Sequence, residues 1–174
     1  TLTDSNIYQY DKNGSQTNGT NNFSYINYEI NPLGQIEEEN RVINRNSSLA
    51  RSYSTKYDYN KAGNVSEIIY PQATKPINYR YNNYNQLVGI DDFADGTVND
   101  PAFKYSPDGF LKEIHYNNGT NIINTPDELN RVTEIKVTGP AQTSYYQDVA
   151  MGNTLFNTTY SYDGIDNVTQ RTNK

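Results

Sequence analysis

Apolar and aromatic residues along this chain fall in short alternating runs, each broken by a turn and followed by a second short run. Tyr57-Asp58-Tyr59 places two rings one residue apart, so an extended strand projects both from one face. Asn60-Lys61-Ala62-Gly63 reads as a reversal. Asn suits the first position of a type I turn, and Gly supplies the positive φ that re-enters a strand through a bulge. Val65 and Ile68 begin the return strand, so residues 57–68 predict a β-hairpin.

The pattern recurs. Tyr79, Tyr81, Asn85, Leu87 and Ile90 repeat it, as do Phe103, Tyr105, Gly109, Leu111 and Ile114, and then Tyr160, Tyr162 and Asp163. Fainter copies bring the units to residues 8–16, 28–39, 57–68, 79–90, 103–114, 124–135 and 160–171. The turns carry the physical requirement. Their first residue is Asp11, Asn31, Asn60, Asn82, Ser106, Asp127 or Asp163, each able to accept a hydrogen bond from a main-chain N–H two residues on. Their fourth is Gly14, Gly34, Gly63, Asn85, Gly109, Asn130 or Asp166, all types that tolerate the left-handed conformation. Pro32 and Pro107 take the second position, where a fixed φ fits. The chain therefore predicts an all-β fold: one array over 1–174 of repeated antiparallel hairpins. The wide gaps Glu37–Lys56 and Thr138–Thr159 predict a further hairpin or a surface loop, with Val42-Ile43 and Tyr145-Tyr146 as strand candidates. Residues 15–27, poor in apolar side chains, predict the loosest segment.

The return strands add a parity problem. Val65/Ile68, Leu87/Ile90, Leu111/Ile114 and Val132/Ile135 are each three apart, which strict alternation sends to opposite faces. A recurring bulge resets the parity and also curves the sheet.

Composition sharpens this reading. A mean hydropathy of −0.90 and 34 % hydrophobic residues would fit disorder, but 17 tyrosines and 5 phenylalanines fit a thin sheet wet on one side. The net charge of −6 and the lack of a Lys/Arg run argue against nucleic acid as a partner. No cysteine is present for a disulfide or a thiol nucleophile, and no apolar run is long enough for a membrane helix. The chain begins Thr1-Leu2-Thr3 without a methionine or signal peptide, which reads as an excerpt of a longer protein.

Candidate chemistry is sparse. Asp91, Asp92, Asp95 and Asp100 offer oxygen ligands of the kind calcium takes, but their spacing is not that of an EF-hand loop; a solvated acidic loop is the plainer account. Glu37-Glu38-Glu39 could supply a carboxylate for acid–base work. Neighbours on a strand face opposite ways, however, so a solvated sheet edge that discourages pairing fits better. His115, the single histidine, sits in a predicted strand as a packing residue. The tyrosines could stack on sugars, yet their register follows the hairpin as a cross-strand ladder would. Asn64-Val65-Ser66 and Asn118-Gly119-Thr120 are glycosylation triplets of the kind expected by accident in so asparagine-rich a chain. No catalytic set, cofactor site or strong metal site emerges, so the chain is expected not to be an enzyme.

The unit Tyr-x-Tyr-Asp-x-x-Gly-x-Leu-x-x-Ile, seen in 57–68, 79–90, 103–114 and 160–168, resembles the RHS/YD repeat. The resemblance implies long hairpin strips that spiral into a hollow β-shell, of which this chain would be a segment or an open half-barrel. In bacterial Tc-type and polymorphic toxins such a shell encloses a toxic segment; in teneurins it is a cell-surface scaffold. The implied role is non-catalytic encapsulation or scaffolding in a secreted or cell-surface bacterial protein. Its partners would be the rest of the parent shell and its cargo. The alternative is a surface module that recognises glycans or a partner protein through its aromatic face. Unpaired edges of such an excerpt predict self-pairing or half-barrel closure. Three residues depart from the pattern: Gln16 after Gly14, and Glu39 and Arg171 at the final aliphatic positions. The outer units are therefore expected to be degenerate or out of register. Asp100-Pro101 is followed by Ala102-Phe103, which does not match the Asp-Pro-x-Gly block at which such toxin shells end.

Overall fold

A computed structural model describes residues 5–140 and 154–174, and these form fourteen strands and no helix. The strands are β1 (Ile7–Tyr10), β2 (Gln16–Thr20), β3 (Ser24–Ile30), β4 (Ile36–Ile43), β5 (Arg51–Tyr59), β6 (Val65–Ile69) and β7 (Ile77–Tyr81). They continue with β8 (Leu87–Ile90), β9 (Phe103–Tyr105), β10 (Leu111–His115), β11 (Asn121–Pro126), β12 (Val132–Thr138), β13 (Thr154–Tyr162) and β14 (Val168–Asn173). All pairings are antiparallel and follow chain order in two sheets of eight and six strands; neither closes into a barrel. Two compact units divide the chain, Thr1–Asn78 and Tyr79–Lys174, and repeated hairpins occur in both.

Turn chemistry explains the hairpins. In all seven predicted turns the first residue's N–H donates to the carbonyl of the fifth at 2.9–3.0 Å. In six of them the Asp or Asn side chain at the first position accepts the N–H groups of the third and fifth residues at 2.8–3.0 Å. Ser106, the exception, accepts only from Phe110 N, at 3.1 Å. The fourth residue is left-handed in every turn, with φ from 59° at Asn85 to 91° at Gly109. Asn and Asp hold this conformation because their short polar side chains bond locally; Gly holds it for lack of a Cβ.

The expected bulge is present seven times. Asp58 faces Glu67 but Tyr59 faces Val65, so Ser66 is an extra residue on the return strand. The same one-residue slip leaves Thr17, Glu37, Val88, Lys112, Thr133 and Thr169 unopposed in the other six hairpins. Tyr57 therefore pairs with Ile68 while Tyr59 pairs with Val65, and all four lie on one face.

Several expectations change. Residues 15–27 are not loose: β2 occupies 16–20, and its polar side chains do not matter to ladders made by the main chain on both sides. The outer units are in register. Glu39 sits opposite Tyr28 and Arg171 opposite Tyr160, at the positions Ile68 and Ile114 fill elsewhere; Gln16 faces Tyr10. Glu37–Glu39 do not form a sheet edge, because β4 pairs with β3 on one side and β5 on the other. The Glu37–Lys56 gap is the β4–β5 pair, and Val42-Ile43 lie within β4 as expected. Tyr145-Tyr146 lie outside the described residues. One turn was missed: Tyr116–Thr120 joins β10 to β11 with Gly119 at φ 81° and Asn118 Oδ1 accepting Thr120 N at 2.9 Å.

Core is scarce. Among the described residues the strongly buried apolar ones are Val88, Ala94, Ala102 and Phe103, all in the second unit. Ala94, Ala102 and Phe103 pack together where the connection 91–102 folds back along β8. Ala102 N donates to Val88 O at 2.9 Å, Ile90 N to Ala94 O at 2.9 Å, and His115 N to Ala102 O at 2.8 Å. The connection thus takes up the bonds of β8's outer edge and ties them to β10. Gly89 and Gly96 allow this approach: a Cβ on Gly89 would lie 2.4 Å from Gly96 O, and one on Gly96 2.1 Å from Val88 O.

Candidate functional site

The ladder residues and the turns are the repeated chemistry, so the site is built from them. Tyr79 pairs with Ile90 and Tyr81 with Leu87; Phe103 pairs with Ile114 and Tyr105 with Leu111; Tyr162 pairs with Val168. The tyrosine rings are half-buried and Phe103 is buried. Burial pushes the phenols of Tyr57, Tyr59, Tyr81 and Tyr105 above their ordinary pKa of 10.0, because a phenolate loses hydration there. Their hydroxyls explain the choice of tyrosine over phenylalanine. Tyr59 Oη donates to Ile36 O at 2.7 Å, and Tyr162 Oη to Val132 O at 2.7 Å. In both cases the acceptor is the first strand residue after the preceding hairpin's turn, so the second tyrosine ties one hairpin to the one before it.

Turn residues tie neighbouring hairpins as well. Gln35 Nε2 donates to Gly63 O at 3.1 Å, and Asn130 Nδ2 donates to Asp108 Oδ2 at 2.6 Å. Arg131 is the densest link. It bonds Asp127 in its own turn at 2.7 Å, and reaches Asp163 O at 3.1 Å and Asp166 Oδ1 at 2.8 Å in the last turn. Its guanidinium also lies 4.7 Å from the Tyr162 ring centroid, a cation–π contact. The Arg131 hydrogen bond holds the Asp127 carboxyl below the usual range, and the Asn167 amide does the same for Asp163.

The acidic loop is organised by a cation. Arg80 pairs with Asp91 and Asp95 and donates through Nε to Gly96 O at 2.7 Å. Asp95 also exchanges two 2.7 Å bonds with Asn117, while Asp100 N caps on Thr97 Oγ1 at 3.1 Å. Asp92 sits at a left-handed φ of 61° and donates its N–H to Asp95 Oδ1. Among the described residues no group of three or more His, Cys, Asp or Glu side chains converges to hold a metal ion. Glu38 accepts from Ser54 Oγ at 2.6 Å and pairs with Lys56 at 3.5 Å, and the serine bond chiefly lowers its pKa. Glu39 pairs with Arg41 at 3.1 Å. His115 Nε2 lies 2.8 Å from Glu113 Oε2, whose other partner is Lys104 at 3.3 Å.

One concavity was not foreseen from sequence. A pocket of about 550 Å³ lies between the turns 82–86 and 106–110, floored by Val88 and Phe103 and flanked by Tyr84 and Tyr105. It opens because β8 and β9 are not paired as a ladder, and among the described residues no hydrogen bond joins those two turns.

No family model matches the chain, and no curated protein matches it. Solved structures do. The crystal structure of TcdB2-TccC3 aligns at a TM-score of 0.71 and 14 % identity, over 97 % of this chain and 9 % of that one. The crystal structures of TcdB2-TccC3-Cdc42 and TcdB2-TccC3-TEV align at 0.70 with the same identity, over 97 % and 98 % of this chain. The likeness is one of fold: antiparallel all-β structure over nearly the whole of this chain superposes on a part of TcdB2-TccC3. This chain spans about a tenth of the length of those chains.

Proposed function

We propose that the chain is a non-catalytic wall segment of an RHS/YD-type shell in a large exported bacterial protein, secreted or held at the cell surface. The shell encloses or scaffolds a toxin or effector. The observation that carries this reading is the register: seven hairpins share one turn geometry and one bulge position, whatever residue occupies the ladder. A unit repeated so strictly in its main chain and so loosely in its side chains builds a surface rather than a reaction centre. The alignment of nearly the whole chain to a small part of TcdB2-TccC3 supports the same reading. On it, the partners are neighbouring hairpins of the parent wall and the cargo behind them. Small-angle scattering of the parent protein tests it. A pair-distance distribution of a hollow particle is expected; that of a compact solid particle overturns the proposal.

A further inference from the structure

We propose that the pocket between the turns 82–86 and 106–110 binds an organic cation with a short aliphatic stem, a primary ammonium either free or at the end of a lysine side chain. At about 550 Å³ the pocket falls within the size range of ligand sites, and its floor is apolar, with Val88 and Phe103 almost fully buried. Its walls are aromatic. Tyr84 stands 84 % exposed at the rim, a ring that no packing requirement places there, and Tyr105 faces it from the second hairpin.

Charge selects the ligand. Asp108 is the single charged residue of the lining, and among the described residues no cation pairs with it; its side chain bonds Ser106 Oγ and Asn130 Nδ2. Those two neutral donors, Ser106 first, hold its carboxyl below the usual range, so it is an anion at neutral pH. Two basic residues beside these turns are directed elsewhere by strand alternation. Arg80, between Tyr79 and Tyr81, is engaged by Asp91 and Asp95; Lys104, between Phe103 and Tyr105, is engaged by Glu113. A carboxylate beside aromatic rings, with Arg80 and Lys104 engaged by other carboxylates, attracts an ammonium by ion pairing and cation–π contact, while the apolar floor takes its methylenes.

The test is a titration of the 174-residue chain followed by the ring resonances of Tyr84 and Tyr105 at constant ionic strength, with n-butylammonium as the probe. Saturable shifts with half-saturation at roughly 1–10 mM are expected for contacts of this strength. n-Butanol, the neutral isostere, should bind at least about fivefold more weakly, and Asp108→Asn should weaken the ammonium by about fivefold. Tyr84→Ala, which removes an exposed ring and leaves the fold intact, should weaken it by about threefold. An acetylated Gly-Lys-Gly amide distinguishes the sources. Tighter binding than n-butylammonium marks a peptide lysine, and weaker binding marks a free amine. Butanol binding equal to that of the ammonium, an unchanged Asp108→Asn, or tighter saturation by methyl glucoside through Gln86 and Asn82 overturns the proposal.

Discussion

Replacing Gly89 with Ala isolates what holds the second unit together. The added Cβ would sit 2.4 Å from Gly96 O, 2.6 Å from Gly96 N and 2.9 Å from Gly96 C, all main-chain atoms that no rotamer change can move. Ordinary contact begins near 3.4 Å, so the connection must retreat by close to an ångström. That retreat strains the bonds Ala102 N to Val88 O at 2.9 Å, Ile90 N to Ala94 O at 2.9 Å and Arg80 Nε to Gly96 O at 2.7 Å. Each is worth about 0.5–1.5 kcal/mol net, and overpacking adds about 1–3 kcal/mol. Losing about half of that bonding and taking the middle of the packing range gives about 3.5 kcal/mol. At a urea slope of about 1–3 kcal/mol per M the midpoint falls by about 1–3.5 M. Hydrogen exchange should lose protection at Ala102 and Ile90 first. Gly164→Ala is the control, since nothing lies within 4 Å of its Cβ and its φ is not left-handed. A Gly89→Ala midpoint equal to that of Gly164→Ala would refute the reasoning.

Four further outcomes follow. Tyr59→Phe and Tyr162→Phe each remove one 2.7 Å bond to a neighbouring hairpin. Each should cost about 1 kcal/mol in urea denaturation, where a ring that only packs would cost nothing. Asn60→Ala leaves Ala62 N and Asn64 N without their acceptor and should cost about 1 kcal/mol, with faster exchange at both amides. Arg131→Lys keeps the charge but not the fork that spans Asp127, Asp163 and Asp166, so it should lower the midpoint; a neutral result would show the fork to be dispensable. Stability should be flat near neutrality and fall at both ends of the pH scale. Glu38, Asp108, Glu113, Asp127 and Asp163 have lowered folded pKa values. Their contribution is present above the ordinary 4.5 and 3.8 and is lost as pH falls through the folded values. The raised phenols contribute below 10.0, and that is lost as pH rises through their folded values; thermal melts across pH read both limbs.

The hairpins were legible because their requirements are local. A left-handed fourth residue and an acceptor at the first leave few residue types to choose from, and so Asp166 and Asn130 declared themselves as plainly as Gly63. The bulge was legible through the three-residue spacing of Val65 and Ile68. β2 was not, since a strand of Gln, Thr, Asn and Gly forms through ladders with both neighbours, which composition does not show. The Tyr116–Thr120 turn has its signal in Asn118-Gly119, where Asn supplies the acceptor and Gly the left-handed φ. Gly96 carried none. Its need is the close main-chain approach of Val88 O and Ala102 N rather than an unusual φ. The pocket depends on a pairing that β8 and β9 do not make, and no residue by itself announces a missing ladder.

The unopposed bulge residue gives the array a place to vary. Thr17, Glu37, Ser66, Val88, Lys112, Thr133 and Thr169 have no ladder partner to match, and five kinds of side chain stand at those seven places. Six of them remain at least partly open to water; Val88 alone is buried, taken up as the floor of a pocket and as the acceptor for Ala102. A mutation at such a site changes what the sheet displays without changing how the sheet is built. Diversification can therefore proceed hairpin by hairpin, each experiment confined to one copy while the remaining copies keep the lattice intact.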